Sequence, residues 1–261
     1  MRIARFTTGD DPRFAFVQSE GDTTYLAVLS GDPLYMPAMP TGERVELGDG
    51  VRLLAPVIPR SKVVAVGRNY LDHVREMGSE PPTAPLLFLK PNTSVVGPDA
   101  PVVLPDWTQE VSYEAELAVV ISKLCKDVEP ENARAYVLGY TVANDVTARD
   151  AQRTDDQWAR AKGFDSSCPL GPWIETDLDP EDVAVRSRVN GAPKQDGRTS
   201  QMIFDVEYLV SYASKAMTLL PGDVLLTGTP AGVGPIEAGD RVECEVEGIG
   251  VLANPVVRRE V

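Results

Sequence analysis

The run Val111-Ser-Tyr-Glu-Ala-Glu-Leu-Ala-Val-Val-Ile121 places two carboxylates, Glu114 and Glu116, one residue apart in an otherwise apolar stretch. In an extended chain side chains alternate between faces. Glu114 and Glu116 therefore share a face with Ala118 and Val120, while Ala115, Leu117, Val119 and Ile121 point the other way. A buried unpaired carboxylate is strongly unfavourable and a second beside it adds like-charge repulsion, so a cation must compensate the pair. A divalent metal ion is the simplest such cation. A third ligand stands at the end of the β-rich run Tyr140-Thr-Val-Ala-Asn-Asp145, where Asp145 can converge with the two glutamates. Three carboxylates with no His or Cys nearby form an all-oxygen set, suited to Mg²⁺, Mn²⁺ or Ca²⁺ rather than to Zn²⁺ or copper. The same letters also describe an edge strand with its glutamates in water and Asp145 capping a following helix.

The one histidine of the chain is His73, in Leu71-Asp-His-Val-Arg-Glu-Met. A short helix there puts His73 and Glu76 at i and i+3 on one face. Next to a metal the pair reads as a base and its orienter; on its own it reads as a satisfied surface histidine. Two further cations have a structural reading beside a functional one. Lys90 ends the strand Leu86–Lys90, where it either meets water or greets an anionic substrate. Lys162 sits where the helical pattern from Gln157 stops at Gly163, a position the helix dipole favours for any cation. The run Pro221–Gly234 is a strand entering a Gly-rich loop. It lacks the Gly-Lys-Ser/Thr ending of a phosphate-binding loop and no helix clearly follows, but its amides and the Thr229 hydroxyl can hold a carboxylate.

Strands must position these groups. Residues 1 to about 57 alternate in short patches broken by Gly21-Asp22 and Gly31-Asp32 turns, which predicts small antiparallel strands. Ser61–Gly67 is a buried strand whose tip carries Arg68-Asn69-Tyr70. The segment Gly78-Ser-Glu-Pro-Pro-Thr-Ala-Pro85 cannot stay helical, so the His73 turn has the composition of a mobile lid. Val183–Val189 before Asn190-Gly191 predicts a hairpin. Residues 199–218 form the best amphipathic helix, with Val206, Leu209, Val210, Ala213 and Met217 on one face. The strands Asp240–Val246 and Gly250–Val257 close the sheet. The class is mainly β with a few helices.

A net charge of −14, with no basic run longer than Arg258-Arg259, excludes a nucleic-acid partner. Binding of an anion must then rely on a few local cations. No 18-residue apolar run exists to span a membrane and no signal core follows the N-terminus. Cys125, Cys168 and Cys244 are odd in number and widely spaced, which predicts free thiols in a reducing, cytoplasmic protein.

Six spaced motifs resemble the fumarylacetoacetate hydrolase family: Gly67-Arg-Asn-Tyr-x-x-His73-x-x-Glu76, Phe88-Leu-Lys-Pro, Glu114-x-Glu116, Asn144-Asp-Val-Thr-Ala-Arg-Asp, Trp158-Ala-Arg-Ala-Lys162-Gly-Phe and Thr227-Gly-Thr-Pro-x-Gly-Val-Gly. They run in unbroken order from about residue 60 to 258. The resemblance implies a mixed β-sandwich roll over 58–261, preceded by a small N-terminal β domain over 1–57, and a homodimer. It implies one Mg²⁺ or Mn²⁺ on Glu114, Glu116 and Asp145. It assigns His73 and Glu76 as a lid dyad, Lys162 as an active-site cation, and Arg68, Tyr70, Lys90, Arg149, Gln152 and Thr229 as substrate contacts. The implied substrate is a small anionic 2-oxo acid, or a 2-hydroxy-dienoic acid, whose C3–C4 bond is cleaved by hydrolysis or decarboxylation through an enolate. The family also holds 2-hydroxyhepta-2,4-diene-1,7-dioate isomerases, so the name alone does not fix the reaction. A silent scaffold dimer is the reading from another class; it gives no chemical reason to keep His73, Glu76 and Lys162 together.

Overall fold

The strand Ala115–Ile121 is buried at every residue, and its two faces feed two different cores. Ala115, Leu117, Val119 and Ile121 join a cluster with Val185, Val242, Cys244 and Val246. Ala118 and Val120 join a second cluster with Val63, Ala65, Ala143 and Leu170. A strand that is apolar on both faces needs a layer on each side. A computed structural model of the chain, which describes residues 1–258, shows how those layers are built. Arg259 of the terminal Arg258-Arg259 pair lies outside the described residues.

Among the described residues the main sheet has twelve strands, ten on one path and two off it: Arg52–Leu54 pairs with Arg2–Thr7, and Val95–Val96 pairs with Cys168–Glu175. Its path runs Pro40–Glu46, Thr23–Leu29, Arg13–Glu20, Arg2–Thr7, Cys168–Glu175, Val137–Asn144, Ala115–Ile121, Val224–Leu226, Val63–Gly67 and Leu86–Lys90. Pairing along it is antiparallel except between Val224–Leu226 and Val63–Gly67. A five-stranded sheet, Ala192–Arg198, Ala184–Val189, Arg241–Val246, Gly250–Arg258 and Val102–Leu104, covers one face. The small sheet of Thr147–Ala148, Val111–Tyr113 and Gly234–Pro235 brings the start of the Glu114 segment beside the Gly-rich loop. The fold is thus mainly β, a mixed sandwich roll with few helices. Its N-terminal strands have their own core of Ala4, Phe6, Ala15, Leu26 and Val28. They also extend the main sheet, because Arg2–Thr7 pairs with Cys168–Glu175 in the register Ile3↔Ile174.

One predicted element is shorter than its periodicity indicates. The helix spans Val206–Ala216, and Thr199–Gln201 is a separate 3₁₀ turn. Asn69 takes the intervening backbone: Ile203 N–H donates to its carbonyl at 2.7 Å and Phe204 N–H to its Oδ1 at 2.9 Å. Asp205 then caps the helix by accepting from the Tyr208 N–H at 2.8 Å. The three free cysteines are all buried, and burial pushes the Cys168 thiol up to about 12. No helix among the described residues is long and apolar enough to cross a membrane.

The parallel pairing that seats the strand before the Gly-rich loop is anchored by Asp223. Its fully buried carboxylate accepts from Ser61 N–H and Oγ–H, Lys62 N–H, Leu220 N–H and, at 2.8 Å, the Lys62 ammonium. Burial alone would raise its pKa; the Lys62 ammonium and the amides outweigh that and hold it below the ordinary 3.8. A depressed folded pKa means this contribution is full above the unfolded value and is lost as the pH falls through the folded one. Asp223→Asn is therefore expected to destabilise the fold by about 2–4 kcal/mol at pH 7. The deficit should shrink at pH 3. Denaturant unfolding at both pH values checks it, and an equal deficit at each would show that the charge contributes nothing.

Candidate active site

Glu114 lies at the break between the strands Val111–Tyr113 and Ala115–Ile121, and Asp145 follows the strand Val137–Asn144 that pairs beside it. The Glu114 N–H donates to Asn144 Oδ1, and the Asp145 N–H to the Glu114 carbonyl, both at 2.9 Å. This backbone tie draws the three carboxylates together. One oxygen from each of Glu114, Glu116 and Asp145 lies within 4.8 Å of the others, and all three residues are buried. Neither the edge-strand reading nor the capping reading survives that burial.

Cations surround the trio unevenly. Glu114 accepts from Arg149 Nη2 at 2.6 Å and from Lys162 Nζ at 2.7 Å, and Lys162 also donates to Asp145 Oδ2 at 2.8 Å. Burial works against ionisation of Glu114, but Lys162, Arg149 and His73 pull its pKa well below the carboxylate range. Burial likewise disfavours the Lys162 ammonium, and Asp145 and Glu114 reverse the effect, leaving its pKa raised. Glu116 differs. Its one hydrogen-bond partner among the described residues is the Gly228 N–H at 2.7 Å, and burial plus repulsion from Asp145 and Glu114 lifts its pKa well above 4.5. A buried all-oxygen set in which one carboxylate touches no cation among the described residues fits a hard divalent ion.

The trio forms the floor of a cavity of about 240 Å³, room for a small acid rather than a nucleotide. His73 and Arg68 stand on the same walls. His73 Nδ1 lies 3.1 Å from Glu76 Oε2, and Glu76 is held in turn by the Gly232 N–H at 3.1 and 3.2 Å.

This geometry frames the likenesses to known proteins. Residues 62–257 match the family described as "Fumarylacetoacetate (FAA) hydrolase C-terminal", and residues 1–56 match "Rv2993c-like, N-terminal". The chain belongs to the fumarylacetoacetate hydrolase family. It is 43% identical to the human protein "Oxaloacetate tautomerase FAHD2A, mitochondrial" over 250 residues, 91% of this chain and 77% of that one. It superposes with a TM-score of 0.92 on the crystal structure of a 5-carboxymethyl-2-hydroxymuconate delta-isomerase from Mycobacterium smegmatis, at 50% identity and covering 99% of this chain and all of that one. A third likeness is to fumarylpyruvate hydrolase from Pseudomonas aeruginosa, solved in complex with Mn²⁺ and pyruvate. There the TM-score is 0.73 and the identity 35%, over 82% of this chain and 94% of that one.

Within this member of the fumarylacetoacetate hydrolase family, the residues expected to meet substrate divide into two groups. Arg68, Arg149, Gln152 and Thr229 line the cavity. Arg68 does so from a backbone φ of +59°, the left-handed region that a non-glycine residue enters only under local constraint. Arg149 Nη1 donates to Gln152 Oε1 at 2.9 Å, so the two act as a unit. Lys90 and Tyr70 are not on the wall. Lys90 shares a strand face with Phe88 and is turned fully inward, where Nζ donates to Asp145 Oδ1 at 2.5 Å behind the carboxylates. It is not a solvated strand end. Tyr70 is buried, with no hydrogen-bond partner for its hydroxyl among the described residues; burial first, and then Glu116, raise its pKa.

The Gly-rich loop does hold carboxylates, but they are the protein's own, Glu116 and Glu76. The Thr229 hydroxyl is committed too, donating to the Ala115 carbonyl at 2.8 Å and accepting from Gln195 Nε2 at 2.7 Å. Residue-by-residue reading missed the apolar wall of Phe88 and Trp158, whose rings meet edge-on at 5.5 Å, with Lys162 Nζ 5.1 Å from the Phe88 ring centre. Both aromatics stand inside motifs already quoted, so the signal was present without a role attached.

Proposed function

We propose that the chain is a Mg²⁺- or Mn²⁺-dependent enzyme that converts a small 2-oxo acid, or its 2-hydroxy-dienoic counterpart, through an enol, cleaving the C3–C4 bond by hydrolysis or decarboxylation. One observation supports the reading: the Glu114–Glu116–Asp145 trio and His73, whose Nδ1 is paired with Glu76, face one cavity. A divalent ion, when bound on the three carboxylates, supplies a Lewis acid and an anchor for an acid group. The chain's own residues supply the rest.

Arg68 and Arg149 give the cavity positive charge where the chain as a whole is acidic, so anion capture is local. Glu76, fixed by Gly232, fixes His73 through Nδ1 and leaves Nε2 as the basic atom. In hydrolysis that atom takes a proton from water attacking the distal carbonyl; in isomerisation it takes one from carbon. The Lys162 ammonium stabilises negative charge developing on the substrate, and Phe88 and Trp158 keep that corner apolar. Decarboxylation needs no nucleophile at all. The isomerase reading stands second, favoured by the name of the M. smegmatis structure, and the three named relatives are an isomerase, a tautomerase and a hydrolase, reactions that one enol can serve. The same proposal sets the enzyme in the cytoplasm as a homodimer, and its buried free thiols support a reducing compartment.

Parallel assays of acetylpyruvate, oxaloacetate and a 2-hydroxy-dienedioate, with Mn²⁺, Mg²⁺ or chelator, test the proposal. Metal-dependent release of pyruvate from either of the first two is expected. Consumption of the dienedioate without pyruvate would move the assignment to the isomerase, and silence on all three would leave a non-catalytic dimer.

A further inference from the structure

Ala115 lies between two of the three converging carboxylates, and side chains hold both of its peptide groups. Its N–H donates to Gln195 Oε1 at 3.0 Å, and its carbonyl accepts from the Thr229 hydroxyl at 2.8 Å. Gln195 is buried on the returning strand of the Asn190-Gly191 hairpin, an element that the proposed chemistry does not otherwise use. Its amide is saturated. Oε1 also accepts from Ser187 Oγ at 2.9 Å, while Nε2 donates to Thr229 Oγ1 at 2.7 Å and to the Pro230 carbonyl at 2.8 Å.

We propose that Gln195 is a positioning residue of the metal site, locking the Ala115 peptide to the Thr229–Pro230 turn so that Glu114, Glu116 and the Gly228 amide keep the spacing a divalent ion needs. The inference rests on the metal-dependent reading above. Chemistry selects the amide at this point: the Ala115 N–H needs an acceptor, the Pro230 carbonyl needs a donor, and Thr229 Oγ1, whose proton goes to Ala115, also needs a donor. A carboxylate, a hydroxyl or an ammonium fails at least one of the three. The loop has no slack with which to compensate, because a Cβ at Gly232 would stand 2.3 Å from the Lys194 carbonyl next to Gln195. Gly228, four residues earlier in that loop, hydrogen-bonds Glu116, so a shift of the loop reaches the carboxylates directly.

The test is Mn²⁺ affinity of the chelator-stripped full chain, read from the free-ion electron paramagnetic resonance signal, beside the melting temperature without metal. Gln195→Met keeps the volume and removes every hydrogen bond; it is expected to weaken Mn²⁺ binding about ten- to a hundredfold, as loss of a ligand-orienting group does. Ser187→Ala removes one hydrogen bond to Gln195 Oε1 but leaves the amide's bonds to Ala115, Thr229 and Pro230 in place, and should stay within about twofold of the parent, the comparison that separates positioning from packing. Where Gln195→Met does not fold, Gln195→Asn, too short to span both partners, carries the comparison. Parent-like Mn²⁺ affinity in the Gln195 variant, or equal weakening by Ser187→Ala, overturns the inference and leaves the metal reading intact. No Mn²⁺ binding by the parent overturns both.

Discussion

Glu116→Gln is expected to abolish tight binding of the divalent ion while making the ion-free protein more resistant to heat. Both effects follow from one contrast. Glu114 is pulled down by Lys162 and Arg149, whereas Glu116 meets an amide and two neighbouring carboxylates. In the ion-free fold its raised pKa favours the protonated form. Relative to the ionised state, that group contributes stability below the unfolded value of 4.5, and the contribution is lost as the pH rises through the folded pKa. At neutral pH the charge is therefore a burden without the ion. Glutamine keeps the shape and an acceptor for the Gly228 N–H, and it removes the burden. The variant should melt a few degrees above the parent in chelator, with the gap widening from pH 5 to pH 8. Adding Mn²⁺ at about a hundred times the parent's Kd should raise the parent's melting temperature by roughly 5–10 °C. The variant should show almost none of that rise, and its turnover should fall by at least two orders of magnitude, roughly, since a ligand matters more than a group that orients one. A variant that keeps the Mn²⁺ shift would remove Glu116 from the ligand set.

The same residues show how much of the fold and the site is legible in the sequence. Alternation along Val111–Ile121 put Glu114 and Glu116 on one face, and Ala118 and Val120 do enter a different core from Leu117, Val119 and Ile121. Period-two patterning is a property of the backbone, so it survives folding. The mainly β class was legible for that reason, and the Asn190-Gly191 hairpin because its turn chemistry is local. Lys90 and Gln195 were illegible for the opposite reason. Lys90 reads as a strand end until a partner 55 positions away, Asp145, turns out to lie on its inner face. Gln195 sits among exposed residues on its strand, and its four bonds reach Ala115, Ser187, Thr229 and Pro230 across three elements. The helix over 199–218 failed at its start because Asn69, far away in sequence, took the backbone amides of Ile203 and Phe204.

A His73→Gln change should lower hydrolytic turnover by about 10²–10⁴-fold while leaving Mn²⁺ affinity nearly unchanged. His73 lines the cavity but makes no hydrogen bond to the three carboxylates, so they keep their geometry when the imidazole goes. Glu76→Gln should act in the same direction and less severely. The Glu76 carboxylate is shared between the Gly232 N–H and His73 Nδ1, and an amide there has only one oxygen for two donors, so the imidazole loses orientation before it loses its place. The pair of variants also separates the routes that one enol can take. In the proposed mechanism, acylpyruvate hydrolysis needs His73 Nε2 to activate water, whereas loss of carbon dioxide from oxaloacetate needs only the floor of the cavity and its cations. Assayed side by side with Mn²⁺, His73→Gln should therefore collapse pyruvate release from acetylpyruvate and spare most of that from oxaloacetate. Equal collapse on both substrates would mean that His73 serves the enolisation step itself, which is the behaviour of a tautomerase or an isomerase, and the dienedioate would then be the substrate to pursue.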